Sequence, residues 1–249
     1  MFSFFKRRAS TGTATTSLSW LGVDMHSHIL PGIDDGSATL ADSLLLLEQL
    51  QELGMDTFYF TPHVFQELYP NTPNTITQAF EELKTAVDAS ILGGYAAEYM
   101  LDHTFDQRLH AQEKFLTLPG NYLLVEMSYI QENKHIERTL FDLQIQGYKP
   151  ILAHPERYVF YHHDIKKIQR FRDLGVLLQC NMLSAIGYYG PGEKQTFKRM
   201  AEKGLIDLLG TDMHHERHAK ALRLGLQQLD LQKAVQGCRI RNQELFARS

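Results

Sequence analysis

Apolar positions along the chain follow two alternating rhythms. Short apolar runs of strand character recur at "LGVDMHSH", "DTFYFTPH" (Asp56–His63), "ILGGYAAEYM" (Ile91–Met100), "NYLLVEMS" (Asn121–Ser128), "KPILAHPER" (Lys149–Arg157), "VLLQCNM" (Val176–Met182) and "LIDLLGTDMHH" (Leu205–His215). Between them the spacing turns helical. Leu40, Leu44, Leu47 and Leu50 share a face, with Ser37 as the expected N-cap and Gly54 as the stop. Further helices are predicted over "NTITQAFEELKTAVDA", capped by Asn74 or Thr75, and over Thr104–Ala111, His135–Gln146, Asp164–Leu174, Pro191–Lys203 and Ala219–Val235. Seven strands, each followed by a helix, argue for an α/β protein with a parallel sheet. No glycine-rich phosphate loop follows the first strand, so a closed or nearly closed (β/α)7 barrel fits better than a Rossmann sheet. No linker divides the chain, which predicts a single domain over residues 20–249.

The first 19 residues break the rhythm. "MFSFFKRR" followed by "ASTGTATTS" lacks the charge-then-apolar order of a secretory signal. Residues 1–19 are expected to be a disordered tail; the alternative is a weak membrane-surface or partner contact through Phe2, Phe4, Phe5 and Lys6–Arg8. Elsewhere no apolar run approaches the roughly 20 residues needed to cross a bilayer. At net charge −4, with both signs mixed and no basic stripe, nucleic acid is not the expected partner. Two cysteines, Cys180 and Cys238, build no disulfide framework and suit a reducing, cytoplasmic setting.

Twelve histidines, many in short clusters, change the picture. Nearly every predicted strand ends on a group that can bind a cation: His26 and His28, His63, Glu98, Glu126, His154, then Asp212 and His214. In a parallel barrel these ends converge on one face. Side chains at i and i+2 of a strand point the same way, so His26 pairs with His28 and Asp212 with His214. Asp24 shares that face and is expected either to orient an imidazole or to make a structural hydrogen bond. His103, His110, His135, His162 and His163 are expected in solvent. For His215 and His218 a surface loop is preferred over substrate contact. The loop "VFQELYPNTPNT" after His63 is either a wall for an aromatic ring or a plain connection. Imidazoles and carboxylates without thiolate suit manganese, iron or zinc, and so many donors imply about three ions. Such clusters favour hydrolysis of phosphate esters. The Cys-x5-Arg pattern of thiol phosphatases is absent, since Ile186 and Glu244 stand at the arginine positions.

The ordered set "DMHSH", "DDG", "TPH", "AAEYM", "LLVEMS", "AHPER" and "TDMHH" resembles the polymerase-and-histidinol-phosphatase (PHP) superfamily. "HSHILPGIDDG" and "ILAHPER" resemble its CpsB/CapC branch, manganese-dependent tyrosine phosphatases of bacterial capsule and exopolysaccharide loci. The likeness spans about Leu21 to Ala219. It implies a distorted, TIM-like barrel of seven units with three divalent ions, manganese before iron or zinc. Carried over by motif, the first ion takes His26, His28, Glu98 and Asp212; the second shares Glu98 and adds Glu126 and His154. The third takes Asp35, preferred over Asp34, with His63 and His214. Arg157 of "HPER" is the expected phosphoryl clamp and Arg217 the nearest candidate for a second arginine. Catalytic roles fall to Arg157, Glu126 and His63. The implied substrate is the phosphotyrosine tail of a membrane-bound tyrosine autokinase, reached at the inner face of the membrane, with oligomers allowed. The rival substrate class is histidinol phosphate or another small phosphomonoester.

Overall fold

The computed structural model describes residues 17–248. The expected tail therefore lies outside the described residues as far as residue 16, including the Phe2, Phe4, Phe5 and Lys6–Arg8 contact. Leu18, within the last stretch of that expected tail, is fully buried, and its N–H donates to Leu53 O.

Nine parallel strands lie among the described residues, in two sheets. The first holds β1 (Val23–Asp24), β2 (Thr57–Phe60) and β4 (Leu92–Tyr95). The second runs β3 (His63–Val64), β5 (Glu98–Met100), β6 (Tyr122–Glu126), β7 (Lys149–Ala153), β8 (Leu177–Asn181) and β9 (Leu208–Gly210). Apart from their first residues, β6, β7 and β8 are buried throughout, as parallel strands covered on both faces must be.

Two of the predicted strands are each divided between the sheets. β2 stops before Pro62, which has no N–H to donate. The break between β4 and β5 follows a bulge where Phe58 pairs with Leu92 but Tyr59 with Gly94. A Cβ on Gly93 would come within 2.5 Å of the Tyr59 ring, so only glycine lets that ring pass. Hydrogen bonds still cross both breaks, from Ala96 N to Phe60 O and from Glu98 N to Pro62 O.

The helices cover the sheets. They are α1 (Leu40–Glu52), α2 (Pro73–Lys84), α3 (His103–His110), α4 (Ile136–Ile145), α5 (Ile165–Asp173), α6 (Met182–Ile186), α7 (Pro191–Glu202), α8 (Glu216–Leu226), α9 (Leu231–Ala234) and α10 (Asn242–Phe246). Thr39, not Ser37, caps α1, because Thr39 and Asp42 close a reciprocal capping box. Thr72, not Asn74 or Thr75, caps α2, ahead of Pro73 in the first turn, where its missing N–H costs nothing. The expected closing helix over Ala219–Val235 is broken, and Asp230 caps its second part by accepting from Lys233 N. The short helices α6 and α10 were not anticipated. Asn242 of α10 is buried between the first and last strands. Its amide donates to Val23 O at 3.0 Å and Leu209 O at 2.7 Å, and its oxygen accepts from Leu209 N at 3.0 Å.

Candidate metal centre and active-site cavity

All nine residues expected as ligands come together: His63 and Glu98 open β3 and β5, Glu126 ends β6, and the other six follow strand ends. The strands themselves stop short of most of them. β1 ends at Asp24 and β9 at Gly210, and their exits are joined by a parallel bridge between Ser27 and Met213. Strand alternation therefore does not place Asp212 and His214. Asp212 instead sits at φ 51°, and His154 at φ 34°. Left-handed backbone costs a residue with a side chain about 1 kcal/mol or more, and such strain is held at positions the surroundings over-determine.

The inner part of the cluster is buried. His26 Nε2 lies 3.2 Å from His28 Nε2, 3.3 Å from Glu98 Oε2 and 3.5 Å from Asp212 Oδ1. His28 Nε2 is 3.3 Å from both of those carboxylate oxygens. His154 Nε2 meets Glu98 Oε1 at 2.9 Å and Glu126 Oε2 at 3.9 Å. The outer part is open to solvent: Asp35 Oδ1 is 3.5 Å from His63 Nε2 and 3.6 Å from His214 Nε2, and its side chain is 50% exposed. His63 Nδ1 links the two parts, 2.9 Å from Glu126 and 3.2 Å from Glu98. Three groupings have one donor atom per residue within reach of a single ion: His28, Asp35, His63 and His214; His26, His28 and Glu98; and His63, Glu98 and Glu126.

The donor set fits divalent cations. Glu98 is fully buried, yet its Oε2 has no hydrogen-bond partner, and neither does His154 Nδ1. That oxygen faces ring nitrogens of His26 and His28 at 3.3 Å and of His63 at 3.2 Å, and a cation among these converging donors would satisfy it. Burial alone would raise the carboxyl of Asp34, but the charge of His28 and its hydrogen bond, 2.8 Å from Nδ1, hold it below the usual range. Asp34 thus braces His28, and Asp35 is the member of the pair that faces the other imidazoles. Gly36 makes this turn possible, because a Cβ there would fall 1.8 Å from His28 O. Burial likewise favours neutral His63, but neighbouring Glu126 and Glu98 together hold its pKa up at about 9.

A cavity of about 470 Å3 opens onto the cluster, and among the described residues Arg157 is its only lysine or arginine. Arg157 Nη1 donates to Asp212 Oδ2 at 2.8 Å. Its guanidinium carbon lies 4.3 Å from the Tyr129 ring centre and 4.0 Å from that of Tyr189, a cation–π contact on each side. Neither tyrosine stood out in the sequence, where an aromatic beside a strand reads as core. Phe65, Leu68 and Tyr69 also line the cavity, so the loop after His63 is a wall rather than a plain connection. Tyr69 stacks on His63 at 5.5 Å.

Other expectations need correction. Arg217 is exposed and lines, with Ser37, Asp42 and Glu216, a neighbouring cavity that shares His214 and His215 with the one lined by Arg157. It sits in the first turn of α8, next to exposed Glu216. His215 and His218 line the main cavity instead of a surface loop, and His218 is buried. For Asp24 the second of the two expected roles holds, a structural hydrogen bond: it accepts from Thr211 N at 3.0 Å and His26 N at 3.4 Å, tying the first exit to the last.

Comparison with known proteins places this geometry. The family described as "Capsular polysaccharide synthesis, CpsB/CapC" matches residues 22–233. The tyrosine-protein phosphatase YwqE of Bacillus subtilis is 28% identical over 198 residues, covering 78% of this chain and 77% of its own. The tyrosine-protein phosphatase CpsB of Streptococcus pneumoniae is 27% identical over 203 residues, covering 78% and 83%. A chain from the crystal structures of those two proteins, described as unique metal-dependent tyrosine phosphatases, superposes with a TM-score of 0.72 at 26% identity. The match covers 88% of this chain and 96% of the other. The chain belongs to the CpsB/CapC family.

Proposed function

We propose that this chain is a metal-dependent phosphotyrosine-protein phosphatase. One observation carries the reading: a buried cluster of imidazoles and carboxylates, with a Glu98 oxygen that no hydrogen bond satisfies, adjoins a cavity in which Arg157 is the only guanidinium among the described residues. The relatives named as tyrosine-protein phosphatases support the substrate class.

In this reading three divalent ions, manganese before iron or zinc, are held by the sets His26, His28, Glu98 and Asp212; Glu98, Glu126 and His154; and Asp35, His63 and His214. Bound there, the cations supply a nucleophilic water at neutral pH and neutralise phosphoryl charge. The chain's own residues do the rest. Arg157 offers its uncommitted N–H donors to the phosphoryl oxygens in a planar fork. Tyr129, Tyr189 and Asp212 keep it in place before substrate arrives. Phe65 and Tyr69 supply a wall for the tyrosyl ring. A phenolate with pKa near 10 departs with little acid help. That suits a site where both ring nitrogens of His63 already face carboxylates, Nε2 toward Asp35 and Nδ1 toward Glu126. Arg217, outside the cavity, is left without a part in phosphoryl binding.

The two sheets read together as one distorted seven-unit barrel over residues 20–249. The bonds that cross the split strands and the Ser27–Met213 bridge support that reading. The physiological substrate is proposed to be the phosphotyrosine tail of a membrane-bound tyrosine autokinase, met at the cytoplasmic face of the membrane during capsule or exopolysaccharide production. No described helix is long and apolar enough to cross a membrane itself.

The test is turnover of a phosphotyrosyl peptide against histidinol phosphate by the manganese-loaded protein. The peptide should be the better substrate, and chelation should abolish activity without changing the circular dichroism spectrum. Preference for histidinol phosphate, or activity that survives chelation, would overturn the reading.

A further inference from the structure

Within the six-stranded sheet β8 alone, counted with its exit, contributes no candidate ligand, yet it sends two fully buried amides to the cluster, Gln179 and Asn181. Gln179 Oε1 lies 2.8 Å from His26 Nδ1 and accepts from His154 N at 3.4 Å. Gln179 Nε2 donates to Asn181 Oδ1 at 2.9 Å, and Asn181 Nδ2 donates to Asp212 Oδ2 at 2.6 Å. An amide's oxygen and nitrogen are alike in shape, so the direction of such a chain has to come from its partners. Here both ends fix it. The Asp212 carboxylate only accepts, which turns Asn181 Nδ2 toward it and Oδ1 toward Gln179. The His154 backbone N–H only donates, which puts Gln179 Oε1 at the far end. His26 must then donate from Nδ1, leaving the lone pair of Nε2 toward Glu98 and Asp212. β9 makes room for this chain, since a Cβ on Gly210 would come within 2.8 Å of both Gln179 Nε2 and His26 Cβ.

We propose that Gln179 and Asn181 are positioning residues for cation binding, a one-way amide chain that presents His26 through Nε2 and pins Asp212 by Oδ2, leaving Oδ1 for a cation. Asp212 Oδ2 also receives Arg157, so the chain couples the phosphoryl-binding arginine to the inner cluster. The inference rests on the proposed metal centre and adds to it the residues that set donor orientation.

The first test needs no variant. Long-range 1H–15N spectra of the zinc-loaded wild-type protein should place the His26 proton on Nδ1 and zinc on Nε2; the reverse arrangement overturns the proposal. The second is manganese titration followed by electron paramagnetic resonance on wild type, Gln179→Met, Asn181→Asp and Gly210→Ala, each checked for folding by circular dichroism. The folded variants should bind the inner manganese about 10–100-fold more weakly, with the outer ion at Asp35, His63 and His214 unchanged. Wild-type affinity in all folded variants sinks the amide chain while leaving the metal centre standing. Failure of the wild type to take up zinc or manganese sinks the metal centre, and the inference with it.

Discussion

Arg157 enters the cavity with one N–H committed to Asp212 and an aromatic ring on each side. Truncation to alanine should lower kcat/KM on a phosphotyrosyl peptide by about 100-fold or more. Lysine should restore little, because a point charge lacks the planar fork. Full activity in Arg157→Ala would remove the clamp. His63 yields a pH prediction. In the metal-free site its pKa is held up at about 9, against an ordinary 6.5. Its share of metal-free stability is therefore fully present below pH 6.5 and lost as pH rises through 9. Cation binding runs the other way, since a ligand imidazole must give up its proton. Apparent manganese affinity should climb between pH 7 and 9, and calorimetry in buffers of different ionisation enthalpy should register proton release at pH 7.5. At this scale the sequence was most informative about titratable groups, since a carboxylate or imidazole at a buried strand exit demands a partner. It said little about Tyr129, Tyr189, Gln179 and Asn181, which look like ordinary core until their neighbours are known.

Turns and caps decide whether the elements deliver those groups. The turn after His28 depends on Gly36, whose added Cβ would strike the His28 carbonyl. Gly36→Ala should pull Asp34 from His28 and Asp35 from the outer imidazoles. Metal analysis should then show the loss of one ion, and thermal melting a drop of about 1–3 kcal/mol in stability. Asn242 plays the comparable part at the opposite end, filling hydrogen bonds that β1 and β9 do not make to one another there. Asn242→Ala strands three buried backbone groups and should cost about 2 kcal/mol, roughly 4–8 °C in Tm, with cation stoichiometry intact. Helix existence was legible from apolar spacing, whereas caps were displaced wherever a reciprocal box or a proline outcompeted the nearest serine or asparagine. The strand splits were not legible, because Pro62 and Gly93 act through pairing partners that a single sequence does not reveal.

For the molecule as a whole, the cluster gathers four carboxylates and five imidazoles, and bound cations should stabilise the fold that holds them. Adding manganese to stripped protein should raise Tm progressively, by an amount equivalent to about 2.7 kcal/mol at a hundredfold excess over Kd. A Tm indifferent to metal would argue that the carboxylates are satisfied without it. The α/β class and the convergence of the exits followed from strand and helix alternation, while α10 did not, being too short to register as a period. The join between the first and last strand exits has one more consequence. Asp24 accepts hydrogen bonds from Thr211, 187 positions later, and His26 waits almost as long for Asp212. A growing polypeptide therefore carries its histidines through most of synthesis with no complete cage around them. Completing the cluster becomes a late event, since Asp212 and His214 join it only once the final strand has left the ribosome and docked, so a product truncated before that point would lack two of the nine donors and the contact that Asp212 makes with Arg157.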